Sequence, residues 1–468
     1  MPEQHPHLPE LFGSSIYWLE TSEAQRRPSA SGGQRFDVVI VGGGFTGLWT
    51  AYHLTQADPS MSVAVVERET IGFGASGRNG GFAMTLLDLS LHQLRENNGD
   101  VAAREAHEAV AASVDEIGET IRREQIDCEW VRGGLMVVAT NQAQRARIDQ
   151  DMEAAEELGL SGFKRLSAEE VQAEVHSPTY VGGLREEHCG VMHPAKLARG
   201  LASVVEARGV TVFEATAVDD IEVLTDRVAL RTRDGAVLEA DQAVLATNAW
   251  AHADPRIGRK VLPLYTYIAL TEPLDDRQWD EVGWASHCGI EDKRNFVHYY
   301  RRTLDGRILW GGSDGIVFPG RRIAAGHDRN NGVFHRLLGT FRDTFPQLAD
   351  VRFTHHWGGP VGLTTRFVPV FGSVNSRLHY GAAYSGHGVA PSHTGGKILR
   401  DKVLGVAGDL NGLCFVDSRE PSFPPEPIAS IAAELSRRAL RKQDDLAQQG
   451  KTDYLSEPLA MKVLRALE

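Results

Sequence analysis

The hydrophobic pattern is clearest near the N-terminus, where it predicts a strand, a helix and a second strand in succession. Phe36–Val41 (FDVVIV) is a short apolar run rich in β-branched residues, typical of a strand buried on both faces. Leu48–Gln56 favours a helix, and Ser62–Glu67 (SVAVVE) favours another buried strand. Together these segments have the length of a βαβ unit, about 30 residues. We therefore expect a parallel sheet covered by helices, which is an α/β fold.

Further along the chain, helical patterns come first and strand-like patterns dominate later. Apolar residues at helical spacing predict a helix within 100–126, and Ser167 opens a Ser-x-x-Glu capping box. Pro194 and Gly209 stand where a helix begins and ends. The later chain therefore predicts a second, sheet-rich part and a terminal amphipathic helix. The predicted strands are 210–213, 228–232, 243–246, 264–270, 296–300, 307–310, 351–357 and 378–384, and the late helices are 394–404 and 426–447.

Composition and charge narrow the class of protein. The 468 residues are 42% hydrophobic and 24% charged, which is ordinary for a globular chain of two or three lobes. A net charge of −13 argues against a general binder of nucleic acid or of an anionic membrane. No apolar run reaches the length of a membrane span, and the N-terminus shows no export signal. We therefore expect a cytoplasmic protein.

No metal site is predicted. The four cysteines, Cys128, Cys189, Cys288 and Cys414, are far apart and show neither zinc nor redox spacing. His355–His356 is an adjacent pair on a predicted strand, where neighbouring side chains point to opposite faces.

A glycine-rich turn follows the first predicted strand. Gly42, Gly44 and Gly47 satisfy the GxGxxG pattern, which lets backbone approach a pyrophosphate and lets the next helix pack closely on the strand. The N-terminus of that helix offers N–H groups to phosphates. Glu67 ends the second strand, 20 residues beyond Gly47, where an acidic side chain accepts hydrogen bonds from ribose hydroxyls. This unit predicts a bound dinucleotide rather than a structural glycine turn.

A second glycine-rich segment, Gly72–Gly81 (GFGASGRNGG), follows the second strand. Five glycines in ten residues exclude a regular helix or strand. Arginine, asparagine and serine among the glycines are unusual for a flexible linker, and backbone donors beside a large planar ligand explain the composition better. The segment therefore favours a loop that wraps a planar cofactor.

These motifs resemble those of the D-amino-acid-oxidase-type FAD-dependent oxidoreductases. Within that family the chain is most similar to the gamma-glutamylputrescine oxidase-like amine oxidases. The resemblance implies an α/β chain with a Rossmann-like FAD-binding domain and a discontinuous, sheet-rich α+β substrate domain. The residues that carry it, besides the glycine motifs, are Ile16–Trp18, Cys128–Trp130, Tyr299–Arg301 and Trp357–Gly359.

The implied domains are each built from separate stretches of chain. The N-terminal arm packs on the main body through its apolar island or is floppy, and the two alternatives are about equally supported. The predicted boundaries are 1–35 for the arm, 36–90, 185–255 and 370–425 for the FAD-binding domain, 91–184 and 256–369 for the substrate domain, and 426–468 for a C-terminal helical tail.

The resemblance also assigns cofactor contacts. It implies that Ser76–Gly80 follow the pyrophosphate and flavin ring, that Val218 contacts adenine, and that 386–389 close on the isoalloxazine edge. Neither 359–366 nor 78–80 offers the cysteine or histidine that carries a covalent flavin in the family, so non-covalent FAD is expected. The predicted cofactor residues are Gly42, Gly44, Phe45, Thr46, Gly47, Glu67, Arg68, Gly74, Ala75, Ser76, Gly77, Arg78, Asn79, Gly80, Val218, Thr247, Asn248, Trp250, Gly386, His387, Gly388 and Val389.

The chemistry that the resemblance implies is amine oxidation. A neutral primary or secondary amine would give the hydride of its α-carbon to flavin N5, and water would hydrolyse the resulting imine to an aldehyde. O2, giving H2O2, or another acceptor would take the electrons. This chemistry requires no strong acid or base, and no catalytic residue is assigned. Two alternatives stay open: an amino-acid or N-methyl-amino-acid oxidase of the same fold, and a flavin-binding protein without catalysis.

Candidate substrate residues fall in the sheet-rich part. Glycine-oxidase-like members place a carboxylate-binding arginine two residues before an Asp-Gly turn, but before Asp305–Gly306 that position is Thr303. Arg301 shares the strand face of Thr303 about 7 Å further back, which favours amines with a remote anionic group over simple α-amino acids. Arg366 is a second possible anchor. The predicted substrate residues are His298, Tyr300, Arg301, Trp357, Arg366 and Tyr384, with Tyr265 and Tyr267 as further pocket candidates.

Overall fold

In the computed structural model, which describes residues 16–452, the predicted βαβ unit lies at the centre of a mainly parallel sheet. Parts of the predicted arm, 1–15, and of the predicted tail, 453–468, lie outside the described residues.

The strands and helices below are numbered along the chain. The strands are β1 (Gln34–Val41), β2 (Val63–Val66), β3 (Phe82–Met84), β4 (Leu135–Ala139), β5 (Phe163–Leu166), β6 (Gly182–Glu186), β7 (Cys189–Val191), β8 (Thr211–Phe213), β9 (Val218–Val223), β10 (Val228–Thr232), β11 (Val237–Leu245), β12 (Leu262–Thr271), β13 (Gly289–Asp292), β14 (His298–Arg302), β15 (Ile308–Gly312), β16 (Phe353–Leu363), β17 (Val370–Asn375) and β18 (Leu378–Ala382). The α-helices are α1 (Tyr17–Glu20), α2 (Phe45–Ala57), α3 (Leu91–Asn98), α4 (Asp100–Arg123), α5 (Gln142–Glu157), α6 (Ala168–Glu174), α7 (Pro194–Ala207), α8 (Asp276–Val282), α9 (Asn331–Thr344), α10 (Val389–Leu404) and α11 (Ile428–Gln448).

The first sheet runs in the order β17-β18-β11-β1-β2-β8, and the β9–β10 hairpin pairs with β11. Strand β1 is parallel to both β2 and β11, with Val41 beside Val66 on one side and Leu245 on the other. Helices α2, α7 and α10 cover one face, and an apolar cluster that includes Val228 and Leu230 of the β9–β10 hairpin covers the other. The central strands are therefore buried on both sides, as their apolar runs predict. The predicted α/β, Rossmann-like fold is confirmed.

The second sheet runs in the order β16-β12-β15-β14-β13-β4-β6-β5. Its outer face packs on α9 through an aromatic core in which Tyr300 stacks on Trp310, with ring centroids 4.2 Å apart. Because side chains alternate along a strand, Tyr299 and its cross-strand partner Glu291 lie on the opposite, inner face. Tyr299 contacts Phe82 there, so the inner face turns towards the first sheet.

The strands of the first sheet come from three separated parts of the chain, 34–66, 211–245 and 370–382. Those of the second sheet lie mainly within the two predicted substrate-domain stretches, and β6 crosses the predicted boundary at 184/185. The exact domain limits stay a prediction.

The described part of the arm packs on the main body. Trp18 is fully buried, and its indole N–H donates to the carbonyl of Asn79 at 2.9 Å. The Tyr17 hydroxyl donates to Asp305 at 2.7 Å. Helix α1 therefore joins the loop after β2 to the second sheet, which favours the packed alternative over a floppy arm.

The C-terminal helix α11 is attached to the second domain by a buried charge. Asp314, whose side chain is fully buried, pairs with Arg437 of α11 at 2.8 Å and with Arg336 of α9. Arg441 lies 3.6 Å from the same carboxylate. In the described part of the chain, no helix is long and apolar enough to cross a membrane.

Candidate active site

The glycine turn at the end of β1 has a conformation that larger residues would break. Gly42 has φ 118°, and a Cβ there would lie 2.5 Å from the carbonyl oxygen of Ala246. A Cβ on Gly47 would lie 2.0 Å from the carbonyl oxygen of Gly42, so α2 sits directly against the turn. Helix α2 has no side-chain cap at Gly44, so its first turn presents backbone N–H groups at the strand end. The geometry is that of an anion-binding turn.

Glu67 lies at the carboxyl end of β2, beside this turn. Its carboxylate accepts hydrogen bonds from the backbone N–H groups of Gly43, at 2.8 Å, and Glu69, at 2.9 Å. Burial raises the pKa of Glu67, although both N–H groups favour the charged form. The backbone thus fixes the carboxylate where a ribose would reach it.

The second glycine-rich segment forms a rigid loop over α2. Ser76 Oγ accepts from the backbone N–H of Phe45 at 2.8 Å. The Asn79 amide donates to the carbonyls of Ala75 and Ser76, both at 3.0 Å, and its oxygen accepts from Gly81 N–H at 2.7 Å. These bonds hold the loop in one conformation, as a cofactor wall requires.

A cavity of about 590 Å³ extends along the carboxyl ends of β1, β2 and β11, from the β9–β10 hairpin to the turn before α10. Most of the predicted cofactor residues line it. These are Gly42, Gly44, Phe45, Thr46, Glu67, Arg68, Gly74, Ala75, Ser76, Asn79, Val218, Thr247, Asn248, Trp250, Gly386, Gly388 and Val389.

Five predicted cofactor residues lie behind the lining. Gly47 and Gly77 allow close backbone packing, since a Cβ on Gly77 would lie 2.3 Å from a carbonyl oxygen. Gly80 packs against the second sheet. Arg78 is buried and pairs with Asp328 at 2.6 Å, which joins the loop to the second domain. His387 pairs with Asp88, its Nδ1 lying 3.0 Å from the carboxylate.

Several lining residues carry no sequence signal of their own. They include Asp219, Arg233 and Arg256, and Arg233 pairs with Asp219 at 2.8 Å across the β9–β10 hairpin. Long-range pairing brings them to the cavity, so local motifs could not identify them.

Of the predicted substrate residues, Tyr384 lines the cavity, where its hydroxyl lies 2.7 Å from Thr46 Oγ1. Tyr300 and His298 are buried beneath the second sheet, where the Tyr300 hydroxyl meets that of Tyr180 at 2.6 Å. His298 Nδ1 lies 3.3 Å from Asp292. These two residues belong to the outer-face core rather than to the cavity.

The remaining aromatic candidates make contacts with backbone. Trp357 donates to the carbonyl of Arg78 at 2.8 Å. The Tyr267 hydroxyl donates to the carbonyl of His327 at 2.9 Å, and that of Tyr265 to the carbonyl of Ala324 at 3.3 Å. These contacts connect the loops that flank the second sheet.

The predicted anionic anchors are also engaged elsewhere. Arg301 is buried and donates to the carbonyls of Gly80, at 2.7 Å, and Met192, at 2.6 Å. Burial lowers the pKa of its guanidinium to about 10. Arg366 donates to Asn98 Oδ1 and to the carbonyl of Cys414. Arg301 thus makes backbone contacts, and its role as an anchor for a remote anion stays a prediction.

Sequence reasoning missed two buried carboxylates on the inner face of the second sheet, Glu186 of β6 and Glu291 of β13. Burial raises the pKa of Glu186 to about 8, although a hydrogen bond from Thr85 opposes the shift. Burial also raises the pKa of Glu291. Within residues 16–452, no group of three or more histidine, cysteine, aspartate or glutamate side chains is placed to hold a metal ion.

The fold and cavity define a two-domain dinucleotide-binding protein whose second sheet lies over the cofactor cavity. The chain belongs to the DAO family of FAD-dependent oxidoreductases, because the model of that family matches residues 37–402. The prediction of an FAD-dependent oxidoreductase is therefore confirmed.

Individual relatives agree with this membership. The chain is 35% identical over 373 residues to gamma-glutamylputrescine oxidoreductase of Escherichia coli strain K12, covering 79% of this chain and 84% of that protein. It is 29% identical over 396 residues to the probable oxidoreductase OrdL of Haemophilus influenzae, covering 84% and 88%. The crystal structure of glycine oxidase from Geobacillus kaustophilus aligns with a TM-score of 0.68 at 22% identity, covering 83% of this chain and all of that one.

The residues around the cavity fit FAD. A Cβ on Gly44 would lie 2.8 Å from Ser76 Oγ, so only glycine leaves space for a diphosphate between turn and loop. The α2 N-terminus favours the diphosphate charge, and Glu67 supplies a fixed acceptor for ribose hydroxyls. Among residues 16–452, no cysteine or histidine lines the cavity.

Proposed function

We propose that the protein oxidises a small primary or secondary amine with non-covalently bound FAD. The observation that carries the proposal is the cavity beneath the second sheet, whose walls come from the glycine turn, the 73–79 loop and the turn before α10. The 35% identity to gamma-glutamylputrescine oxidoreductase supports an amine substrate.

The cofactor would be held by groups that the fold already orders. The α2 N-terminus and Ser76 would face the diphosphate, Glu67 the adenosine ribose, and Val218 the adenine. The first turn of α10 would place its positive end beside the ring system, because α10 begins at Val389 directly after the Gly386–Gly388 turn. Non-covalent binding is supported by the lining, which offers no cysteine or histidine within residues 16–452.

When bound, FAD supplies the acceptor for the hydride that leaves the amine α-carbon, and the two electrons pass on to O2 or another acceptor. The protein would bind the amine in its neutral form, aim its α-carbon at the cofactor and exclude water. The inner face of the second sheet supports this role, since Tyr299 packs against Phe82 and Gly80, which directly follow the loop that lines the cavity. The imine product would leave and hydrolyse to an aldehyde.

An amino-acid substrate is the second candidate, and relatives named glycine oxidase and sarcosine dehydrogenase support it. Arg301 gives it no support, because that guanidinium is buried, donates to two backbone carbonyls and does not line the cavity.

Anaerobic mixing of the yellow holoenzyme with an amine panel tests the proposal. Loss of the visible flavin absorbance with alkyl amines, and not with glycine, sarcosine or D-alanine, is the expected result. Faster bleaching by the amino acids would establish the second candidate. A flavin that no amine or amino acid reduces would make the protein a flavin binder without this catalysis.

A further inference from the structure

Three buried side chains donate to the three successive backbone carbonyls at 78–80, near the end of the second glycine-rich segment. The indole N–H of Trp357 donates to the first carbonyl at 2.8 Å, and that of Trp18 donates to the second at 2.9 Å. Arg301 Nε donates to the third at 2.7 Å. These donors come from β16, from helix α1 of the arm and from β14. Because each carbonyl is held in one direction, the plane of each peptide unit is held as well.

The N–H groups of the same peptide units are not all used. The N–H of Asn79 donates to the carbonyl of Ala75 at 3.1 Å, and that of Gly81 donates to Asn79 Oδ1 at 2.7 Å. Gly80 is buried, yet its N–H has no acceptor among residues 16–452. Buried backbone N–H groups without a partner are rare in native folds, which indicates that a bound molecule supplies the acceptor.

The direction of the Gly80 N–H follows from the bond that Trp18 makes. The peptide bond between Asn79 and Gly80 is trans, so its N–H and its carbonyl point in opposite directions. The carbonyl is directed at Trp18, which does not line the cofactor cavity, whereas Asn79 does line it. The free N–H therefore faces the side of the loop opposite Trp18.

We propose that Trp18, with Trp357 and Arg301, is a positioning residue that presents the Gly80 N–H to an acceptor atom of the bound flavin ring. This inference rests on the part of the proposed function that places FAD in the cavity, and not on the identity of the amine. The reduced ring carries more negative charge than the oxidised ring, so a fixed N–H stabilises the reduced form more. The arm thereby influences how readily the flavin accepts electrons.

Trp18→Phe tests this role, because it keeps an aromatic ring and removes the indole N–H. The reduction potential of the flavin, measured against a reference dye without any amine, should become more negative by about 30 mV, the equivalent of a ten-fold change in a two-electron equilibrium. Tyr17→Phe is the matched control, since it removes a hydrogen bond to Asp305 from the same helix and leaves the loop untouched. An unchanged potential in Trp18→Phe with bound FAD, or an equal shift in Tyr17→Phe, would overturn the proposal.

The wild-type holoenzyme provides a second measurement that does not depend on the folding of a variant. Labelling with carbonyl-¹³C asparagine and ¹⁵N glycine selects the amides of the four Asn–Gly pairs in the sequence, which belong to Gly80, Gly99, Gly332 and Gly412. The last three glycines are exposed, so their signals serve as internal controls. The Gly80 amide signal should shift when dithionite reduces the flavin, while the three controls stay in place. A Gly80 signal that is the same in both states would refute the contact.

Both measurements are made without an amine, which separates this inference from the proposed function. A more negative potential in Trp18→Phe and a Gly80 signal that responds to reduction would support the positioning role even if no amine reduced the flavin. An enzyme that oxidises amines but shows neither response would refute the positioning role and leave the proposed function intact.

Discussion

Glu186 should make the stability of the fold fall as the pH rises. Its carboxyl is buried, and its pKa is about 8 instead of the ordinary 4.5. Between these two values the folded state keeps a proton that the unfolded state has lost, so the stability decreases with increasing pH. The difference of about 3.5 pH units corresponds to about 5 kcal/mol, reached near pH 8.

Glu186→Gln should remove this dependence, because the neutral amide keeps an oxygen that can accept from Thr85. The thermal midpoints of wild type and variant should be compared at steps from about pH 5 to 8.5. As the pH rises, the thermal midpoint of the variant should increase relative to that of the wild type. At the highest pH the difference should be on the order of 5–10 °C for a chain of this length. Glu187→Gln, at the exposed adjacent position, is the control and should track the wild type. Parallel curves for Glu186→Gln and wild type would show that the carboxyl is ionised and solvated in the fold.

Three further results are expected. Glu67→Ala should raise the Kd for FAD about ten- to hundred-fold in equilibrium dialysis, because a fixed charged acceptor is lost. The control Glu69→Ala should leave the Kd unchanged. Equal Kd values for Glu67→Ala and the wild type would contradict the ribose contact. Asp314→Ala should cost about 3–5 kcal/mol in unfolding experiments, because it leaves Arg336 without its carboxylate and Arg437 with Glu434 alone. An unchanged midpoint would show that α11 is held by other contacts. Acid precipitation should release the flavin into the supernatant, and yellow colour in the pellet would reveal a covalent bond.

The parts of the fold that the sequence predicts are those whose determinants are close together in the chain. The βαβ unit combines a local apolar period with a glycine turn, and the Ser167 capping box forms with Glu170. The helix predicted at 394–404 begins earlier, at Val389. Its start is set by the glycine turn before it and not by an amphipathic pattern, which is why the sequence placed it too late. Strand β13, four residues containing two acids, has no strand-like pattern at all.

Side-chain roles in the second sheet could not be predicted, because they depend on distant residues. Arg301 looks like a substrate anchor on its strand, yet its partners are carbonyls 221 and 109 residues away. Glu291 looks like a surface acid in sequence, yet the neighbouring strands bury it. The topology of the sheet decides which residues become hydrogen-bond partners. The residues adjacent to Arg301 or Glu291 in the sequence do not reveal those partners.

The discontinuous first sheet has a consequence for synthesis on the ribosome. Leu378, where β18 begins, follows Val41, the end of β1, by 337 residues. At typical elongation rates the interval between them is roughly 20–70 s. Throughout that time the cavity lacks the Gly386–Val389 wall. Once β11 has been made, it lacks its neighbour β18 for the rest of the interval. A nascent chain or a fragment that stops before residue 378 therefore exposes the unpaired edge of β11. Capture of the cofactor becomes one of the last events in the life of the growing polypeptide, because its wall at 386–389 is made later still.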